Sequence, residues 1–262
     1  MSLRFSFTLV LAVATRLGGQ SKELCIVVIR KLRNDGVSGV LLRCIKKPRE
    51  WYAARTTDPS TGAFDHEFGT DTGGIVPLWK LCIQSQHRRE GVWYEASDPA
   101  VVRSAIASLP IEYEEFAFVD LGSGKGRTLL IASEHPFRRV IGVEFASELN
   151  AVATANIMKY QSPKRKCEAV SSICADAATF ELPEESTVFF LFNPFGEQVI
   201  SKFLFNLKTS LGTNKRQIYI FYYNAVFGRL FDEADFLHCV EIAIHSSMPL
   251  GVWTSDPALA SR

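Results

Sequence analysis

The chain has almost no charge imbalance, few histidines, no paired cysteines and no apolar run long enough to cross a bilayer, and each shortfall excludes something. Its 29 Lys and Arg nearly cancel 28 Asp and Glu, leaving a formal net charge of +1 over 262 residues. No global field therefore selects for nucleic acid or an anionic membrane, and nucleic acid is not indicated as a partner. Local clusters such as Lys164-Arg165-Lys166 read as a solvated turn. The six cysteines, at 25, 44, 82, 167, 174 and 239, include no C-x-x-C pair, and the five histidines are dispersed. That pattern speaks against a disulfide framework or a zinc site and suits reduced thiols in a cytoplasmic protein, with no metal expected. The run "FSFTLVLAVA" after Arg4, closing on Ala12-Val13-Ala14, superficially reads as a secretory signal but is too short to span a membrane. We read it as an apolar helix or strand packed on the domain.

What is present falls into two parts. "SKELCIVVIRKLRNDG" puts Leu24, Cys25, Val28, Ile29 and Leu32 on one helical face and stops at Asn34-Asp35-Gly36, as an amphipathic helix does. From Lys46 to Gly74 the pattern dissolves into Pro, Thr, Asp and Gly, predicting a long irregular stretch with Trp51, Tyr52, Phe64 and Phe68 embedded in it. A helix is expected from Val76 to about His87, and another from Asp98-Pro99, with Asp98 as N-cap and Pro99 in the first turn. We read residues 1–110 as an N-terminal helical and loop segment and 111–262 as the main domain.

From Phe116 the text becomes regular. Strand candidates at 116–121, 140–143, 169–173, 188–192 and 218–222 alternate with helical segments, the sequence form of a parallel sheet covered on both faces. "FLHCVEIAIH" and "VWTS" add two strand-like pieces expected as an antiparallel pair at the sheet edge. The fold class is α/β: a doubly wound, Rossmann-like, seven-stranded and mostly parallel sheet with an N-terminal helical extension.

The most informative stretch is "FAFVDLGSGKGRTLLIASEHPFRRVIGVE". A buried strand runs into Gly122-Ser123-Gly124-Lys125-Gly126 and then a helix beginning at Arg127. Glycine permits positive φ and lets a ligand lie against backbone. The spacing is G-x-G-x-G, one residue short of a dinucleotide fingerprint, and Lys125 is not followed by Ser or Thr as a phosphate-binding loop requires. Glu144 ends the second strand, where an acid can accept from both hydroxyls of a ribose. Asp176, in "CADAATF", follows the third strand and either accepts from an adenine amino group or caps a helix. Asp120 can order the loop or meet a ligand's ammonium group.

Taken together, "VDLGSGKGR", "VIGVE" and "CADA" resemble, in order and distance, three motifs of the class I S-adenosylmethionine-dependent methyltransferases, over roughly Phe116 to the C-terminus. The resemblance implies S-adenosyl-L-methionine as cofactor. It implies that Asp120, Gly122, Gly124 and Gly126 surround the methionine half, Glu144 the ribose, and Asp176 with Ala177 the adenine, with Ser123 and Arg127 of the same motif also binding the cofactor. The fourth strand ends "FFLFNPFGEQV". Its Asn193-Pro194-Phe195 resembles the Asn/Asp-Pro-Pro-aromatic element of methyltransferases that act on amide, amino or ring nitrogens, with Phe195 in place of the second proline. It also resembles the Asn-x-Phe element of the non-SET histone-lysine methyltransferases.

Asn193 and Phe195 are therefore the candidate catalytic residues, the amide oxygen orienting an amine and the ring packing on the substrate or on the cationic methyl group, with Asn193 also bordering the cofactor. A lid is expected from "FDHEFGTDTGG" and "WYEASDP", with Thr72 and Tyr94 closing over the ligand. The implied partner is a methyl-acceptor substrate, a protein side chain or a small molecule. A nicotinamide-dependent oxidoreductase, or a catalytically inactive methyltransferase fold that binds a partner, are the alternatives.

Overall fold

The central strands of the chain are mostly apolar because both of their faces are covered, and the computed structural model shows with what. It describes residues 59–259 apart from 245 and 247. The apolar run at 5–14, the amphipathic helix at 21–36 and the first part of the irregular stretch lie outside the described residues. Helix α1 (Pro59–Phe68) is followed by the short strands β1 (Ile75–Val76) and β2 (Tyr94–Glu95), paired antiparallel, and by α2 (Pro99–Ala107). Then come β3 (Phe116–Leu121), α3 (Arg127–Ala132), β4 (Arg139–Glu144), α4 (Ser147–Lys159), β5 (Val170–Cys174) and β6 (Ser186–Phe192). The chain continues through α5 (Glu197–Thr213), β7 (Ile218–Tyr223), α6 (Gly228–Asp232), β8 (His238–Cys239) and β9 (Leu250–Thr254).

The main sheet has seven strands in the order β5-β4-β3-β6-β7-β9-β8. Neighbours from β5 through β7 are parallel, while β9 runs antiparallel to both β7 and β8. The α/β, Rossmann-like class expected from the strand pattern is the observed one. Because side chains alternate along each strand, Phe116, Phe118, Val140, Phe190 and Phe221 pack under α2 and α3, and Val119, Leu121, Ile141, Phe189 and Ile220 pack under α5. Each fully buried Phe, Leu or Val contributes about 1.5–3 kcal/mol. The edge strand β5 carries Ser171 and Ser172 and is half exposed, as an edge should be. Among the described residues no helix is long and apolar enough to cross a membrane.

Two expectations are corrected upstream of the sheet. The stretch read as irregular contains α1, whose Phe64 and Phe68 stand one turn apart and pack on Tyr160 of the segment after α4, with ring centroids 6.2 and 4.8 Å away. No helix forms over 76–87. The chain there makes β1, a 3-10 turn at Leu78–Lys80, an extended link and a second 3-10 turn at Gln86–Arg89. Pro77 is extended, and the apolar positions find partners off the sheet, with Leu81 and Ile83 packing on Ala146 and Leu149. The helix from Pro99 is as expected, Asp98 accepting the Ala100 N–H at 2.8 Å.

Candidate functional site

The strand order reverses beside β3, whose neighbours are β4 and β6. In open parallel sheets the carboxyl ends at such a point frame a crevice. The glycine turn stands there. Gly122, Gly124 and Gly126 all have positive φ (84°, 54° and 87°), a region that costs side-chain-bearing residues energy. The Gly122 and Ser123 N–H groups donate to the Val143 carbonyl at 2.8 and 3.1 Å, and Gly126 N–H closes on the Ser123 carbonyl at 2.8 Å. A side chain at Gly122 would collide with the Pro194 ring and one at Gly124 with the Tyr94 ring. At Gly126 it would press on Ala153 of α4 at 3.1 Å. The turn is bare so that two rings and a helix can lie against it, and these rings are part of a cavity wall.

That cavity is lined by Asp120, Gly122, Ser123, Glu144, Asn193 and Phe195, residues drawn from three separate stretches of sequence. Tyr94 and Arg127 also border it. Thr72, Gly124, Gly126, Asp176 and Ala177 do not reach its wall. Glu144 is only 3% exposed; its Oε2 accepts the Gly124 N–H and its Oε1 the Ala146 N–H, both at 2.8 Å. Burial pushes its pKa up to about 7 despite these bonds. Asp120 is pushed up to about 8 by burial, against a hydrogen bond from Thr128, with the Glu144 charge adding to the rise. Ser123 Oγ is buried with no hydrogen-bond partner and lies against Gly142 of β4.

Both carboxyls bind protons more tightly folded than unfolded. The stability they contribute is therefore full below about pH 4, the unfolded carboxylate range. It is lost as pH rises through about 7 for Glu144 and about 8 for Asp120. We expect the Tm of the ligand-free protein to fall from pH 6 to pH 9 in a thermal-melt series. A Tm that rises across that range would mean the two carboxyls are not held in this environment. Asp65 and Asp176, whose pKa values are lowered, act oppositely and lose their contribution below about pH 4.

A strap formed by residues 65–73 is fastened to the turn by polar contacts. Burial alone would raise Asp65, but the bonds from Thr72 and Thr70, with the Arg127 charge, outweigh it. It accepts from Thr70 Oγ1 (2.8 Å), from Thr72 N and Oγ1 (2.8 and 2.6 Å) and from Gly73 N (2.6 Å). Arg127, 2% exposed, donates from Nε to Thr72 Oγ1 at 2.8 Å and from a terminal nitrogen to the Ser97 carbonyl at 3.3 Å. Its other terminal nitrogen lies 3.7 Å from Asp65, and the guanidinium sits over the Phe64 ring at 5.3 Å. Lys125 pairs with Asp71 at 2.7 Å, and the Asn156 amide bonds both the Asp71 backbone and the Lys125 carbonyl. The Tyr94 hydroxyl donates to the Thr72 carbonyl. Arg127 and Thr72 thus stand in the fastening, and Tyr94 joins fastening to cavity. Sequence reading missed Asp65 and Asn156, which carry no periodic or motif signal.

Asp176 is engaged elsewhere. Its carboxylate accepts from Ser85 Oγ, meets His87 Nδ1 at 2.7 Å and accepts the Ala178 N–H at 2.8 Å. It caps its own turn and anchors the 3-10 turn at Gln86–Arg89. Ala177 is buried in the core face under α5.

The far wall is the end of β6. Asn193 has φ 41°, in the left-handed region, and its Oδ1 accepts from the Tyr222 hydroxyl at 3.1 Å. The next strand repeats the arrangement: Phe192 pairs with Tyr223, and Asn224 at φ 53° also lines the cavity. Asn224 was not anticipated. Its signal was an Asn closing an apolar strand beside another such Asn. The Pro194 carbonyl accepts the Val92 N–H at 3.2 Å, Phe195 bridges Gly91, and Gly196 N–H donates to the Glu90 carbonyl at 2.6 Å. Residues 90–92 therefore run over Pro194–Gly196 like a short strand. Phe195 is 6% exposed and meets Phe145 edge-on, centroids 6.5 Å apart.

No family model matches the chain, and no curated protein does. Solved structures do. A ribosomal protein L11 methylase from Lactobacillus delbrueckii subsp. bulgaricus is similar over 59% of this chain and 75% of its own, at 10% identity and a TM-score of 0.43. An RNA methyltransferase from Salinibacter ruber, solved with S-adenosyl-L-homocysteine, is similar over 62% and 92%, at 17% identity and 0.39. An S-adenosylmethionine-dependent methyltransferase from Leishmania major is similar over 60% and 70%, at 17% and 0.44. With TM-scores below 0.5, these likenesses carry no weight for activity, substrate or site.

Proposed function

We propose that the protein is an S-adenosylmethionine-dependent methyltransferase that acts on a nitrogen of a protein side chain or small molecule. The observation that carries this reading is the carboxyl-lined cavity at the strand-order reversal, where Glu144 holds the glycine turn by the Gly124 N–H. The donor set suits a zwitterionic sulfonium nucleoside. Asp120, Glu144 and the orphan Ser123 Oγ offer acceptors, while the cation in the wall, Arg127, is committed to Thr72, Ser97 and Asp65. A cationic ligand also favours the ionised forms of Asp120 and Glu144, which burial alone disfavours.

In this reading S-adenosylmethionine supplies the methyl group on its sulfonium. Backbone N–H groups of Ala146, Gly124 and Phe145 face the Glu144 carboxylate, and the acceptor capacity its oxygens keep beyond these takes a ribose hydroxyl. Asp120 and Ser123 face the methionine end. Asn193 and Phe195 border the acceptor side, and the strand-like cover at 90–92 with Tyr94 keeps water out. Methyl transfer needs alignment and dehydration more than a general acid or base, so this chain's contribution is positional.

The test is transfer of labelled methyl from S-adenosylmethionine to lysate separated into protein, nucleic acid and small metabolites. Labelling confined to protein or small metabolites supports the reading. Labelling of nucleic acid alone would overturn the acceptor class, and no labelling by a protein that binds S-adenosylhomocysteine would leave a binding fold without turnover.

A further inference from the structure

Asn193 stands where the acceptor side of the proposed methyl transfer meets the wall, and one residue decides which face of its amide is offered there. Tyr222 lies on β7, opposite Leu191 on β6, and is fully buried. A buried hydroxyl proton needs an acceptor, and the one within reach is Asn193 Oδ1 at 3.1 Å. The Tyr222 hydroxyl therefore donates to Asn193 Oδ1, and this bond sets the amide's orientation. Asn193 Nδ2 donates to no group among the described residues and is not one of the buried polar atoms left without a partner. Asn193 itself lines the cavity. The left-handed backbone at Asn193, held by Pro194 packed on Gly122, leaves little freedom to turn the amide by moving the main chain.

The geometry points to Tyr222 as the positioning residue that makes Asn193 a hydrogen-bond donor toward the substrate. The methylated atom of that substrate then lies beside a hydrogen-bond-accepting atom, a carbonyl oxygen or a ring nitrogen. This rests on the methyltransferase reading and narrows it. An amide or ring nitrogen meets the requirement and an isolated alkyl amine does not, because the single lone pair of the neutral amine is used to attack the methyl group and no neighbouring atom of it can accept. It also reverses the expectation, drawn from the sequence, that the amide oxygen orients an amine.

Two variants test it. Tyr222→Phe keeps the ring and removes the proton that turns the amide. Asn193→Asp keeps an oxygen for Tyr222 and removes the donor. In both, transfer to the fraction labelled by the parent is measured at saturating cofactor, alongside S-adenosylhomocysteine affinity, Tm and the ¹⁵N side-chain amide spectrum of the ligand-free protein. We expect about a 10-fold fall in kcat for Tyr222→Phe and at least that for Asn193→Asp, with affinity changed less than about two-fold, since misplacing a reacting group alone costs this much.

The Asn193 amide pair, identified by its loss in Asn193→Asp, should shift and average in Tyr222→Phe. Parent-like kcat in Asn193→Asp would show that the oxygen, and not the N–H, serves the substrate. An unchanged Asn193 amide pair in Tyr222→Phe would show that Tyr222 does not hold it. A parent that labels no fraction sinks the methyltransferase reading, whereas the amide spectrum still decides whether Tyr222 sets the orientation.

Discussion

Arg127→Ala is expected to lower stability by about 3–5 kcal/mol, the range for removing one partner from a buried charge network. Its guanidinium holds Thr72, the Ser97 carbonyl and Asp65, and covers the Phe64 ring. Without it, the Asp65 carboxylate stays gathered under four donors with its nearby cation gone, and α1 loses its tie to the turn. The loss should appear in denaturant titration as a lower midpoint. It should also appear in hydrogen exchange as early opening of the Thr72 and Gly73 amides, which donate to Asp65. Arg127→Lys keeps the charge but not the fork, and should recover only part of the loss. A change within about 0.5 kcal/mol for Arg127→Ala, the usual size of an uninvolved substitution, would mean that the strap is held by its other contacts.

Glu144→Ala should act on stability and on ligand binding together. The side chain satisfies the Gly124 and Ala146 N–H groups inside the protein. Each buried donor left unpaired costs about 1–3 kcal/mol, so a total loss of about 2–6 kcal/mol is expected. Burial holds Glu144 near a pKa of about 7, so Glu144→Gln imitates the neutral form and keeps one acceptor oxygen. It should cost less in Tm while still weakening S-adenosylhomocysteine by about 10-fold, the size of a lost charge-assisted hydrogen bond. Equal Tm losses in the two variants with no change in affinity would make Glu144 a brace of the turn with no contact to ligand.

The buried strands were legible because a sheet covered on both faces needs apolar residues at every position, and "FAFVDL", "VFFLF" and "IYIFYY" supply them. The G-x-G-x-G turn was legible for the same local reason, since each of those glycines does take positive φ. What fills the space beside them was not. Pro194 and Tyr94 come from positions about 70 residues downstream and 30 upstream, and no local pattern announces a ring packed on a distant backbone. The failed helix at 76–87 has a similar cause: Val76, Leu78, Leu81 and Ile83 fit a helical stripe loosely, and their contacts with α4 and its approach decided the outcome. Asp65 and Asn156 were invisible because polar residues that fasten loops obey geometry and not period. Of the site itself, sequence located the carboxyls and Asn193. It did not separate the residues that line the cavity from those, such as Asp176 and Thr72, whose polar groups are spent on neighbouring chain.

The central claim is that the cavity between β3, β4 and β6 takes S-adenosylmethionine. Titration calorimetry of the purified chain with S-adenosylhomocysteine, S-adenosylmethionine and NAD tests it most directly. The account predicts saturable one-to-one binding of both sulfur nucleosides, weakened in Glu144→Gln, and no heat of binding with NAD, whose pyrophosphate needs a turn one residue longer. Saturable binding of NAD with no response to either sulfur nucleoside would contradict it.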